Sequence, residues 1–338
     1  MKFRVYFLLA VSILALVLSC KKESEEDTKP YLSGELKISM PPYVNPGYSK
    51  SFQVDTMSKL KRDDNGPLGY CFRASAFALL DTVKRETETK AREFTFTVPD
   101  TLGTFSLQVT GFSADYYSST AEASFTVVKP GHGEKTSLTG FNINNSDRQF
   151  TDNRDKRQYY ITEVGNTEWM RENLAWDGAG HAFRNCEVMS TIFGRYYSWE
   201  EAQNACPEDW RLPSEKDWQD LLSNMSIGLD KYSDAMGAAG ILMENISFNE
   251  TPMWPFSRKV KISNSARFSA IPSGYAIVED SDTNFFEVYN YAVFWSSDKA
   301  EDGGYCRYIY KDEDCLYSGI RDTRSFGASV RCVRDIKN

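Results

Sequence analysis

The chain has 338 residues, a formal net charge of −8 and 14% aromatic residues. That length exceeds one ordinary core and suits two domains behind a leader. The acidic balance excludes a nucleic-acid footprint, which needs a basic face; it is otherwise ordinary for a secreted soluble protein and points to no partner.

Lys2 and Arg4 supply a positive start, and residues 5–18 form an apolar run of 14. Such a run is short for a membrane-spanning helix and right for the core of a signal peptide. It ends in Val17-Leu18-Ser19-Cys20, which resembles a bacterial lipobox. Residues 1–19 would then be removed, and Cys20 would carry the acyl chains that anchor the protein to a membrane. Ordinary signal cleavage beside an incidental cysteine is the alternative. Residues 20–31 read as an acidic tether. The stretch 21–30 (KKESEEDTKP) lacks apolar residues and cannot bury enough surface to fold. An acidic run just after a lipidated cysteine also resembles the surface-export signal of some Gram-negative lipoproteins. The expected location is therefore the outer membrane, at the cell surface.

Residues 32–129 contain no tryptophan and show repeated period-2 patterns. Phe94, Phe96 and Val98 alternate with threonines, Phe105, Leu107 and Val109 with Ser106 and Gln108, and Phe125 and Val127 flank Thr126. These are half-buried strands punctuated by turns such as Pro99-Asp100 and Leu102-Gly103. Residues 36–40 and 70–77 are weaker strand candidates. The pattern predicts an all-β sandwich, and its order resembles the immunoglobulin-like modules of bacterial surface proteins. The run 84–92 (KRETETKAR) reads as a solvated loop or strand edge, and Cys71 as a buried free thiol.

Residues 130–146 are polar and rich in Gly and Asn, and read as a linker. Beyond it the composition shifts: all seven tryptophans and five of the seven cysteines lie past residue 165. The stretch 196–222 (YYSWEEAQNACPEDWRLPSEKDWQDLL) carries two helix starts. Ser198 with Glu201 has the form of a capping box, and Ser214 with Asp217 is a second cap. Trp199, Ala202 and Cys206 recur at helical spacing before Pro207 ends the first helix. Trp218, Leu221 and Leu222 form the apolar face of the second.

The series Trp169-Met170-Arg171-Glu172-Asn173-Leu174, Gly194-Arg195-Tyr196-Tyr197-Ser198-Trp199, Trp210-Arg211-Leu212-Pro213-Ser214, Phe294-Trp295-Ser296-Ser297 and Val330-Arg331-Cys332-Val333 resembles the Fibrobacter succinogenes major paralogous domain. That family is grouped with the C-type-lectin-like and formylglycine-generating-enzyme-like folds. For residues 147–338 the resemblance implies an α+β C-type-lectin-like domain with two helices, mostly antiparallel sheets and a long, poorly regular loop at 224–265.

After Cys20 six cysteines remain, which allow 15 pairings, so spacing alone selects none. The resemblance to C-type lectins implies a bridge between Cys206, on the first helix, and Cys332, in the last strand. Cys306 and Cys315 flank an acidic turn and could staple a hairpin. A Cys186–Cys206 pairing is the competing arrangement. A metal site is not expected, since there is no close C-x-x-C pair and His132 and His181 lie apart in glycine-rich loops.

The lectin resemblance raises a calcium-dependent sugar site, but Glu-Pro-Asn, Gln-Pro-Asp and Trp-Asn-Asp are all missing from the sequence. Asp280 and Asp282 are the acidic candidates for a ligand loop, and Trp254, Phe256 and Phe285 the aromatic ones. The enzymes of the related oxidase class work through a reactive cysteine pair for which no equivalent segment is present, and Lys216 replaces the acid expected two residues before Trp218. No catalytic residue and no cofactor are therefore assigned. The expected function is non-catalytic binding or adhesion, to a glycan or an envelope protein. A formylglycine-generating-enzyme-like oxidase and a purely structural envelope protein are the alternatives.

Overall fold

The computed structural model describes residues 29–75, 93–279 and 282–337. The leader with Cys20, most of the tether, the 84–92 run and Asp280 lie outside them. The described chain is rich in β-sheet, and its longest helix, Glu215–Asn224, has ten residues.

In the first domain the alternating sequences form the strands that they predict. One sheet runs Tyr43–Val44, Ser119–Val127, Gly103–Phe112, Gly69–Ser75, and a second pairs Ser49–Gln53 with Glu93–Thr97. Phe96, Phe105, Leu107, Val109, Phe125 and Val127 point into one core with Phe52 and Phe72. Phe105 faces Phe125 across the sheet with rings stacked at 5.6 Å, and such cross-strand aromatic pairs stabilise a sheet. Tyr43–Val44 runs parallel to Thr126-Val127. Residues 36–40 form no full strand; Leu36 makes a single bridge to Ser58. Cys71 is free as expected but half-buried rather than buried.

The 130–146 segment does more than span. Leu138–Thr139 pairs with Ser247–Phe248, and Asn249 donates from Nδ2 to the Val127 carbonyl at 3.1 Å. Tyr43 of the first domain packs its ring 5.8 Å from Phe183. A polar composition hid this, because the pairing uses backbone groups that every residue carries.

In the second domain Thr167–Met170 lies between Gln158–Val164 and Val333–Asp335, so strands near its start and end share a sheet. The central sheet comprises Tyr291–Lys299, Gly304–Tyr310 and Cys315–Arg321, with Ala235–Met236 at one edge. The 224–265 segment is irregular, yet Leu242, Met243, Trp254 and Val260 drop from it into the main core.

The 196–222 stretch holds this domain together. Ser198 and Ser214 both cap helices with reciprocal side-chain bonds. The first helix is only Trp199–Ala202, so Cys206 sits past its end rather than on its face. Trp218 packs between Trp169 at 5.2 Å and Phe268 at 5.4 Å. Glu215, in the first turn of the second helix, forms a fully buried ion pair with Arg307 from the central sheet.

Asp217 is both cap and ion-pair partner. Burial by itself would push its carboxyl up, but bonds from Arg211 at 2.5 Å, Ser214 Oγ at 2.6 Å and Ser214 N at 2.7 Å override that and hold it below the usual range. A depressed folded value means its stabilisation is present above the unfolded value of about 4 and is lost as pH falls through the folded one. Asp217→Asn is therefore expected to cost about 1 kcal/mol at pH 7 and less in acid. Urea midpoints at pH 7 and pH 3 check this, and an equal loss at both would refute it.

Cys206 and Cys332 form a disulfide with Cα atoms 5.9 Å apart, which leaves no place for Cys186–Cys206. The expected Cys306–Cys315 staple does not form: both thiols are free and buried. Cys306 stands opposite Gly319, four residues along the strand from Cys315. That offset is about 13 Å, whereas a disulfide needs Cα atoms within about 7 Å. Burial pushes the Cys306 thiol up to about 12.

Candidate functional site

Two of the concavities in the second domain differ in what their linings leave free for a ligand. The larger, about 620 Å³, lies where residues 131–143 meet the segment after Met170. Its polar groups are mostly spent on each other. Arg171 pairs with Asp147 at 3.0 Å, Arg157 with Asp155 at 3.3 Å, and His132 Nε2 with Glu172 Oε1 at 3.1 Å. The second Glu172 oxygen accepts from the Tyr160 N–H at 2.7 Å.

Arg331 reaches this cavity from the last strand segment and is fully buried. It donates to Asn173 Oδ1 at 2.7 Å and to the Phe268 carbonyl, with its guanidinium 4.3 Å from the Phe268 ring. Burial without a carboxylate in contact lowers this guanidinium to about 9. Arg331 Nε and His132 Nδ1 have no partner among the described residues, but both atoms are closed to solvent. The arrangement is a buried polar network that ties the segments 169–174, 268–273 and 330–333 together.

The second concavity is a groove of about 470 Å³ on the central sheet, on the face away from the Glu215–Asn224 helix. Strand register sets Tyr291 opposite Tyr310, Val293 opposite Tyr308, and Tyr308 opposite Tyr317. Alternation along each strand then puts the four tyrosines on one face. Ring centroids follow at 4.9 Å (Tyr310 to Tyr291), 6.2 Å (Tyr291 to Tyr308) and 5.1 Å (Tyr308 to Tyr317). Tyr275 forms a wall, stacked between Phe326 at 5.1 Å and Phe286 at 5.7 Å. The Arg321 guanidinium lies 6.0 Å from the Tyr308 ring and 5.6 Å from Phe326, and Glu287 completes the lining.

The groove still has hydrogen-bonding capacity to spend. Tyr310 donates to Asp312 at 3.2 Å and Tyr317 to Glu313. The hydroxyls of Tyr275, Tyr291 and Tyr308 have no partner among the described residues. Burial raises the Tyr291 and Tyr308 phenols, so both keep the proton they can donate. Among the described residues the lining has one carboxylate, Glu287, and no Ser, Cys or His. It offers aromatic faces and hydrogen bonds, the equipment of a binding site.

The residues expected at the ligand loops do not gather here. Trp254 is 4% exposed and donates from Nε1 to the Ala270 carbonyl at 3.1 Å; it is a core residue, because its loop folds inward. Phe285 is half-buried and packs edge-on against Tyr196 at 5.1 Å and Phe183 at 5.2 Å. Phe256 is 87% exposed, and Asp282 is exposed and accepts from the adjacent Thr283 N–H at 2.8 Å. Tyr275, Tyr291, Tyr308 and Arg321 were missed by sequence reasoning. The signal was there as period-2 spacing, Tyr291-x-Val293 and Tyr308-x-Tyr310, which reads as a strand with one aromatic face.

No curated protein and no solved structure matches the chain. The family model described as the Fibrobacter succinogenes major domain matches residues 162–334, just over half of the 338 residues. The match spans the capped helices, the disulfide, the buried arginine network and the tyrosine groove, and the chain therefore belongs to the Fibrobacter succinogenes major domain family.

Proposed function

We propose that this protein is a lipid-anchored component of the outer membrane, exposed at the cell surface, whose second domain binds a ligand without catalysis. The observation that carries the binding reading is the groove in which Tyr275, Tyr291 and Tyr308 line a concave surface with their hydroxyls unpartnered. These hydroxyls are open to solvent, so in a concavity they can exchange water for the polar groups of a ligand. The anchor rests on the Leu18-Ser19-Cys20 sequence behind an apolar leader.

The finer fold assignments belong to the same reading. Parallel pairing of Tyr43–Val44 with the end of Ser119–Val127, beside a second sheet, supports an immunoglobulin-like first domain. For a C-type-lectin-like second domain the support is the shared sheet of Thr167–Met170 and Val333–Asp335, together with the Cys206–Cys332 bond.

The anchor is tested in cells. Cys20→Ala is expected to move the protein from the membrane fraction to the soluble fraction, and protease added to intact cells is expected to cut the wild type. A Cys20→Ala protein still held in membranes would overturn the anchor, and a wild type resistant to shaving would overturn surface exposure.

A further inference from the structure

The groove's chemistry narrows what it can hold, and the narrowing rests on the binding reading above. We infer that it takes a neutral saccharide chain, with sugar faces against Tyr291 and Tyr308 and sugar hydroxyls bonded to Arg321, Glu287 and the free phenols.

A sugar ring has an apolar face of C–H bonds and a rim of hydroxyls, and needs a site that supplies both characters at once. The tyrosine faces provide the first. Their electron-rich surfaces attract weakly positive C–H groups, while the phenol keeps a polar tip at the ring edge. The rim groups provide the second. A hydroxyl donates and accepts, so it can bond to a guanidinium, a carboxylate or a phenol in turn. Arg321 and Glu287 stand at the same groove as the open phenols of Tyr275, Tyr291 and Tyr308, and together they present donors and acceptors in mixed order.

Charge separates a neutral chain from an acidic one. Arg321 is the cation of the lining and Glu287 its anion, so the groove offers no surplus positive charge to a carboxylated or sulfated sugar. Glu313, bonded to Tyr317, adds negative charge at one end of the tyrosine row, whereas Asp312, bonded to Tyr310, is neutralised by its ion pair with Lys311. An anionic chain would meet repulsion there, within a protein of net charge −8.

Shape separates a saccharide from a protein partner. A standard protein interface covers about 800 Å² on each side, whereas this feature is a groove of about 470 Å³, within the size range of small-ligand sites. Tyr275, Tyr291 and Tyr308 are half-buried, with Tyr291 tilted against Tyr308, so they line a narrow concavity rather than protrude as anchors. The row from Tyr310 through Tyr291 and Tyr308 to Tyr317 extends across three strands, which suits a chain of rings better than a single one.

The test uses the full chain in detergent, titrated calorimetrically with hexasaccharides of glucose, mannose and xylose, and with oligogalacturonate as the acidic probe. At least one neutral hexasaccharide is expected to bind, and oligogalacturonate is not. Tyr308→Ala is expected to weaken binding about tenfold or more, as loss of a central aromatic contact does. Two milder variants, Tyr308→Phe and Arg321→Gln, are expected to weaken it by smaller factors with unchanged folding, and Phe256→Ser, outside the groove lining, is expected to leave it unchanged. Neutral binding indifferent to Tyr308→Phe, Arg321→Gln and Tyr308→Ala alike would overturn the inference, as would tighter binding of the acidic probe. If no saccharide binds but an envelope protein is held by the wild type and lost on Arg321→Gln, the saccharide inference falls and the binding reading stands. If neither kind of ligand is held, both fall.

Discussion

Replacing Cys206 and Cys332 together by alanine is expected to destabilise the second domain by about 5 kcal/mol, the chain-entropy value for so long a loop. The two residues are separated by 126 positions, so the bond removes a large set of open conformations from the unfolded chain. The native contacts around it need not change much. Val333, next to Cys332, is held independently of the bond by backbone hydrogen bonds to Arg211 and by its pairing with Trp169. The effect should therefore appear as a lower urea midpoint together with a steeper dependence on urea, because the unlinked unfolded chain exposes more surface. Tryptophan fluorescence isolates the domain, since all seven tryptophans lie beyond residue 165 and the first domain is silent. A loss under about 1 kcal/mol, far below the loop estimate, would mean that the unfolded chain stays compact without the bond.

The second large effect is expected at Glu215. Its carboxylate and the Arg307 guanidinium are both 0% exposed and in contact. Glu215→Ala leaves the Arg307 cation buried with only neutral acceptors such as the Ser233 carbonyl, at a cost of about 3–5 kcal/mol. The double variant Glu215→Leu with Arg307→Met removes both charges and keeps most of the volume. It is expected to lie close to wild type, because burying two charges costs nearly what their attraction returns. Urea denaturation of the two variants decides the matter. A double variant as unstable as the single one would show that the pair's geometry, rather than an isolated charge, supports the helix.

Much of the second domain was legible before folding was considered. Ser198, Ser214 and the residues three positions after each announce their helices, because a cap acts on backbone groups within one turn. The period-2 phenylalanines of the first domain announce strands for an equally local reason. The Cys206–Cys332 bond follows from the family resemblance, and the fold brings the two cysteines together. Residues whose role depends on distant neighbours were less readable. Trp254 sits in a Pro-flanked, irregular loop and reads as a ligand-loop candidate, but that loop turns into the core. Cys306 and Cys315 are near in sequence, yet strand register keeps them apart.

The sequence by itself determined the apolar run at residues 5–18, the caps, the alternating strands and the family. Each is written in spacings of two to four residues or in a local motif, and needs no partner far along the chain to be seen. The tertiary structure alone decided that Cys306 and Cys315 stay apart, which aromatics are buried, and that Tyr275, Tyr291, Tyr308 and Arg321 share one groove. Those outcomes depend on how separate strands are aligned. A shift of one residue in that register would turn each tyrosine to the opposite face, and no property of a single strand records the alignment.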